Sequence, residues 1–416
     1  MKRRVSMTLT IVDMTGDGIW PEMSRLIRDD LIAPFFDIDW KIHDISLPTR
    51  DATNDKNLND AIADLKEYKS GVKGPTITPS PAQTKEMGLN KQWGSPNGIL
   101  RNAINGAVIM RTPLMASNLA TNAPAMANVT IARQAVGGIY GAPNEIIPSK
   151  GYIKMIHTDE SGQETVLAEK AVDKGVAMLS TETDSSIRDF AHATFKQALT
   201  MDKSVVFASK QTILPTYDGR FVEIFEDIFK EYSDRFEEQG LDFHPSELID
   251  AAVSKIPQGK TNGFILALKN YDGDVTSDQV AGEHISLGMM DSTLISADGT
   301  LLADPPHGTA PDLDKFWHEE GKLVANPTAY IFAYAEAIRH KAELEGDAMT
   351  VEKAIALKET TLKTIEAGHM TGDLSNAAGV EAITGQEFVT EVRKAFKLVV
   401  NDLDINNGHT HQDLAM

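Results

Sequence analysis

The sequence contains no cysteine. Disulfides, thiolate metal sites and a cysteine nucleophile are thereby excluded. It also lacks any apolar run near the roughly 20 residues that a membrane span requires. Its start, MKRRVSMTLTIVDM, is basic but has no long apolar stretch and no small-residue cleavage pattern. It reads as a short tail entering a strand, not as a signal peptide. Positive charge is the third deficit: 40 Lys and Arg face 60 Asp and Glu, for a formal net charge of −20. That balance argues against nucleic acid or an anionic membrane as the main partner, so a small anionic ligand would need a local cluster of Arg or Lys. Internal repeats and low-complexity linkers are absent as well. A reducing cytosol (cytoplasm) is the expected compartment, with an organelle matrix as the alternative.

What is present is a chain of 416 residues, 42% hydrophobic and 24% charged. That is a globular composition, and too long for one ordinary core. TLTIVDM reads as a buried strand, and TGDGIWPE as a Gly-rich turn into the helix PEMSRLIRDDLI. GVKGPTITPSP reads as a strand entering a polar loop; NGAVIM and KSVVFAS are further short strands. SSIRDFAHATFKQAL places Ile187, Phe190, Ala191, Phe195 and Ala198 on one helical face, with Thr194 as its polar member. VEKAIALKETTLKTIEAG is helical by the same periodicity. Strands alternating with helices predict an α/β body. The segment 152–171 alternates polar and apolar residues around DESG, a β-hairpin signature. Such a hairpin is either a local decoration or an arm that clasps a second subunit.

Asp274 and Asp278 are four residues apart in NYDGDVTSDQV. On a helix both carboxylates share one face, which suits Mg²⁺ or Mn²⁺; the plainer reading is an acid-rich first turn favoured by the helix dipole. Asp250 is a possible third ligand or a solvated helix residue. Arg111 and Arg133 each follow an apolar run, which predicts a cation ending a strand at a cleft mouth. With Arg101 they could converge on a polycarboxylate, or form unrelated surface ion pairs. Ser95 and Asn97 in SPNG could bind one more carboxylate or simply make a turn. Tyr140 in GGIYGAP and Lys210 after KSVVFAS are candidate proton carriers, or structural residues. GDGIWPE lacks the third glycine of a dinucleotide fingerprint. HGTAPDL (307–313) looks like a turn around a nucleotide, and its Asp312 would repel a 2′-phosphate. The tail bearing His409 and His411 reads as a flexible terminus.

These pieces fall into one order. RDATND (50–55), VKGPTITP (72–79), SPNG with Arg101, YDGRF (217–221), KNYDGDVTSD (269–278), SLGMM (286–290), HGT (307–309), ANP (325–327) and TIEAGHMTGDL (364–374) run along nearly the whole chain. In this order they resemble isocitrate dehydrogenase, in the β-decarboxylating dehydrogenase superfamily, and within it the dimeric subfamily. The resemblance implies an α/β fold, not Rossmann, with large and small domains sharing a mixed sheet and a β-rich clasp for dimerisation. It implies a large domain from 1–104 and 286–416, a small domain from 105–137 and 184–285, and the clasp at 138–183. It assigns Thr78, Ser95, Asn97, Arg101, Arg111 and Arg133 to isocitrate, and Asp274 and Asp278 to the metal with Asp250 from the other subunit. Tyr140 and Lys210 become the proton-transfer pair, Lys210 reaching across the dimer. Lys73, Thr76, His307, Gly308, Thr309, Ala310, Asp312, Leu313 and Asn326 become the cofactor site. The implied reaction is oxidative decarboxylation of isocitrate to 2-oxoglutarate and CO₂, with Mg²⁺ or Mn²⁺.

The departures concern the cofactor. NADP-dependent relatives carry Arg-His or Lys-Tyr where this chain has Asp312 and Leu313, and an Arg where it has Gln83. The spacing around Lys260 is shifted by a residue. Ile99 replaces a Thr of the SPNG motif, and Arg101 to Arg111 is one residue longer than in the eukaryotic cytosolic form. HGTAPD is the pattern of NAD-dependent members, and NAD is the expected cofactor. The alternatives are NADP, another 2-hydroxyacid such as homoisocitrate or isopropylmalate, and a non-catalytic regulatory subunit.

Overall fold

Strand β1 (Leu9–Thr15) is buried along almost its whole length, as a strand covered on both faces must be. In the computed structural model, which describes residues 8–119, 128–283 and 286–406, it lies between β2 (Ile38–Asp44) and β3 (Ser70–Lys73), parallel to both. The basic start and the tail with His409 and His411 lie outside the described residues. The next strands are β4 (Gly106–Pro113) and β5 (Thr130–Gln134). Then β6 (Asn144–Ile147), β7 (Gly151–Thr158), β8 (Glu164–Val172) and β9 (Gly175–Met178) follow in the predicted clasp. The chain continues through β10 (Ser204–Ser209), β11 (Phe243–Leu248), β12 (Phe264–Leu268), β13 (Met290–Ser296) and β14 (Leu301–Ala303).

Ten of these strands form one mixed sheet in the order β11-β10-β12-β5-β4-β13-β14-β3-β1-β2. Each end is parallel: β14-β3-β1-β2 on one side and β5-β12-β10-β11 on the other. The middle is antiparallel, where β4 pairs with β5 and β13, and β13 with β14. The two halves are thus joined edge to edge, as the shared mixed sheet of the sequence reading requires.

Helices cover the sheet. Thr328–Glu345 packs on β1, β3, β13 and β14 and buries Tyr330, Ile331, Phe332 and Tyr334. Asp184–Met201 buries the face read from its periodicity, Thr194 included. Phe195 there meets Phe225, Phe229, Phe236 and Phe243. The segment read as one helix after GDGI is α-helical over Trp20–Leu26 and widens into a π-turn over Ile27–Ile32. No described helix is long and apolar enough to cross a membrane.

Residues 144–178 leave the main sheet. Strands β7 and β8 pair as the expected antiparallel hairpin, while β6 pairs with β9 in a second two-stranded sheet. Asp159 closes the hairpin turn, accepting the backbone N–H of Ser161 at 2.8 Å and of Gln163 at 3.0 Å. Apolar side chains remain in the open on this arm: Ile146 is 73% exposed, Tyr152 70% and Val176 81%.

Candidate active site

Strands β4 and β5 bring two arginines side by side at the antiparallel join, with Ile109 opposite Arg133 and Arg111 opposite Ile131. Both are buried, and each strand runs on past its arginine, so neither cation ends a strand as the sequence suggested. Burial is tolerated because each guanidinium is answered from helix Asn270–Glu283. Arg111 Nη1 donates to Ser277 Oγ at 2.7 Å and to Asp278 Oδ1 at 2.9 Å. Arg133 Nε donates to Asn270 Oδ1 at 3.0 Å, and its Nη1 to Asp274 Oδ1. Close approach of helix and strand depends on Gly273: a Cβ there would lie 2.7 Å from Arg133 Cβ and 3.0 Å from its Cα.

Tyr140 completes this cluster. It lies on the turn opened by Gly137 and Gly138, both at positive φ, and donates its hydroxyl proton to Asp274 Oδ2. Arg133 sits over its ring at 5.1 Å. Burial, with the Asp274 contact, pushes the phenol up to about 12. Burial, with repulsion from Arg101, lowers the Arg133 guanidinium to about 10. Arg101, in the last turn of helix Pro96–Ala103, is lowered by burial and feels Asp304, Arg111, Asp274 and Tyr140. Arg111 and Arg133 thus converge with Tyr140, Asp274 and Asp278, and Arg101 is close enough to feel their charges.

A second recess holds Lys73, Asn97, Arg101 and Asp304 together. Lys73 is buried, donates to the Gly74 carbonyl at 2.9 Å, and is lowered to about 8 by burial, with Asp304 opposing. Asp304 accepts from Ser292 Oγ at 2.9 Å. Sequence reading missed it, although it stands just ahead of HGT in the same loop. Ser95 is the N-cap residue of helix Pro96–Ala103 without a side-chain cap bond. Thr78 is exposed and Thr76 half-buried on the loop after β3. Gln83 is occupied in a capping box, its Oε1 accepting the Ser80 N–H at 2.9 Å. Ile99 packs on the core cluster beneath.

The loop at residues 307–313 lies on the loop before helix Trp20–Leu26. The His307 ring lies tilted against Trp20 with ring centroids 4.2 Å apart, and burial lowers its pKa, favouring the neutral ring. Gly308 carries the carbonyl against His307 Nδ1 at 3.1 Å. Ala310 turns the chain at φ 53°, Asp312 is exposed, and Leu313 packs on the core. Asn326 donates to Asp373 at 3.0 Å and accepts the Thr328 N–H at 3.0 Å.

Lys210 and Asp250 are not part of the arginine cluster in this chain. They pair with each other instead, Nζ to Oδ1 at 2.6 Å, and Lys210 holds the Asp250 carboxyl below its ordinary range. Buried Asp218, quoted within YDGRF but given no role from the sequence, fixes the start of that segment. It accepts the Lys210 backbone N–H at 2.7 Å and Lys269 Nζ at 2.8 Å. Among the described residues no three His, Cys, Asp or Glu gather to hold a metal within one chain. The carboxylates of Asp274 and Asp278 are hard oxygen donors of the type Mg²⁺ or Mn²⁺ takes, and Asp278 is largely open to solvent. The donor set fits such an ion, with at least one ligand still to be supplied.

Residues 6–392 match the family model for isocitrate/isopropylmalate dehydrogenase. The chain is 35% identical to the mitochondrial NADP isocitrate dehydrogenase of Saccharomyces cerevisiae, over 96% of both proteins. It is 38% identical to the mitochondrial NADP enzyme of Candida tropicalis, over 93% of this chain and 92% of that one. To the NADP isocitrate dehydrogenase of Sphingobium yanoikuyae it is 36% identical, over 92% of this chain and 95% of that protein. With its motifs in order and its arginines and carboxylates converging on one sheet join, the chain belongs to the isocitrate/isopropylmalate dehydrogenase family.

Proposed function

We propose that the protein oxidatively decarboxylates isocitrate to 2-oxoglutarate and CO₂, preferring NAD and acting as a homodimer with shared sites. The observation that carries the substrate is the convergence of Arg101, Arg111 and Arg133 with Tyr140, Asp274 and Asp278. Arg111 is answered by Asp278 and Arg133 by Asp274. Carboxylates of an entering tricarboxylate would take over those guanidinium bonds, leaving both aspartates free to bind a cation. A divalent ion held by Asp274, Asp278 and Asp250 of the partner subunit would supply Lewis acidity at the substrate hydroxyl and adjacent carboxylate. NAD, held by Lys73, Thr76, residues 307–313 and Asn326, would supply the hydride acceptor.

This chain's residues do the rest. Thr78, Ser95 and Asn97 orient the third carboxylate. Lys210 of the partner subunit removes the hydroxyl proton as hydride leaves the same carbon. Tyr140, raised to about 12 and therefore protonated at neutral pH, returns a proton to the carbon that loses CO₂. The exposed apolar arm at 144–178 supports the dimer, and the large (1–104, 286–416) and small (105–137, 184–285) domains would close around the join.

Cofactor preference rests on Asp312. A carboxylate can accept ribose hydroxyls, whereas a 2′-phosphate about 4 Å away would meet roughly 4 kcal/mol of repulsion per charge pair at an effective dielectric near 20. The relatives' names favour the second reading, NADP, for which the exposed Lys315 and Lys260 would be the phosphate partners. A substrate panel tests the reaction: the purified chain with Mn²⁺ and NAD⁺ or NADP⁺ should turn over isocitrate, and not isopropylmalate or homoisocitrate. Turnover of isopropylmalate instead would overturn the substrate assignment, and no metal-dependent turnover would point to a regulatory subunit.

A further inference from the structure

The Gly-rich loop at residues 16–20 grips both segments assigned to the dinucleotide. Toward residues 73–78, Asp17 N–H donates to the Pro75 carbonyl at 2.8 Å, and the Asp17 carboxylate accepts the Ile77 N–H at 2.8 Å. Gly16 lies so close that a Cβ would stand 1.8 Å from the Pro75 oxygen. Toward residues 307–313, Trp20 Nε1 donates to the Thr309 carbonyl at 3.0 Å while its ring lies against His307 at 4.2 Å. The indole is 2% exposed and is itself wedged edge-on against Tyr330 at 5.9 Å. A Cβ at Gly18 would sit 3.1 Å from the same Thr309 oxygen, so the two loops interlock.

We infer that Trp20 is a positioning residue for the dinucleotide: its indole pins Thr309 and His307 and so presets the loop that receives the adenosine half. This rests on the reading of residues 307–313 as the cofactor loop. The indole is buried beneath the loop, and its influence passes through the Thr309 backbone and the His307 ring. A loop held in its bound shape gives up less freedom on binding. Losing one neutral hydrogen bond of this kind loosens binding roughly fivefold.

The test uses the full chain, with NADH and NADPH binding followed by the fluorescence of the reduced nicotinamide, and with KM values for dinucleotide and isocitrate. Trp20→Phe keeps an aromatic ring against His307 and removes the donor; Trp20→Leu removes both. Dinucleotide Kd and KM should rise roughly fivefold in Trp20→Phe and further in Trp20→Leu, while the isocitrate KM stays within about twofold of the parent. Gly18→Ala, whose Cβ would press on the same Thr309 carbonyl, should move the same two constants. Unchanged dinucleotide Kd in all three variants would overturn the inference while leaving the proposed reaction standing. Parallel rises in both KM values with a lowered Tm would reduce Trp20 to a structural residue. If the parent chain binds neither reduced dinucleotide, the cofactor-loop reading fails and takes the inference with it.

Discussion

Glu182 ties the strand that carries Arg133 to the turn that carries Tyr140. It accepts from Gln134, the neighbour of Arg133, at 3.0 Å, and from the Gly138 N–H on the turn that carries Tyr140. Burial pushes its carboxyl up to about 7, against those two hydrogen bonds and Lys269. A folded pKa above the unfolded value means that the native state keeps a proton the unfolded chain has released. The associated stability is complete below about pH 4.5 and is lost as pH rises through 7. Glu182→Gln should therefore be more stable than the parent at pH 8, by on the order of 1–2 kcal/mol after discounting for partial exposure, and nearly equal to it at pH 5. Thermal unfolding at the two pH values checks this, and an equal gap at both would refute it. The arginines, Tyr140 and the paired aspartates were legible because their spacing follows motifs. Glu182, Asp218, Asp304 and Trp20 were not, because each acts through a partner distant in sequence, such as Thr309 for Trp20.

At the scale of elements, the site is made where helix Asn270–Glu283 lies on β5. Short apolar runs sufficed to find β1, β4 and β10, polar–apolar alternation to find the hairpin, and helical periodicity to find Asp184–Met201. The sequence reading misjudged the setting of Arg111 and Arg133, because a strand that continues past a buried cation needs partners from another element. Gly273 is the contact point of those elements. Alanine usually stabilises a helix by about 1 kcal/mol over glycine. Here its Cβ would meet Arg133 at 2.7 Å, so Gly273→Ala should instead lose about 1–3 kcal/mol and raise the isocitrate KM as Asp274 is displaced. A higher Tm with unchanged KM would show that the helix can move away without cost.

At the scale of the whole molecule, a single chain assembles the arginines, Tyr140, Asp274 and Asp278 at one place and the Lys210–Asp250 pair at another. Two copies sharing sites would reconcile these locations. Dimers mixed from Tyr140→Phe and Lys210→Met subunits should then regain one working site, although each variant alone should be inactive. No recovery in verified mixed dimers would rule out sharing. Whether Asp312 selects the cofactor on this scaffold is read from one comparison: kcat/KM for NAD⁺ against NADP⁺, with isocitrate and Mn²⁺, on the purified chain. A preference for NAD⁺ of about 100-fold or more is expected, each tenfold corresponding to about 1.4 kcal/mol. A preference for NADP⁺ would contradict it, and would mean that a cation such as Lys315 or Lys260 receives the phosphate despite Asp312.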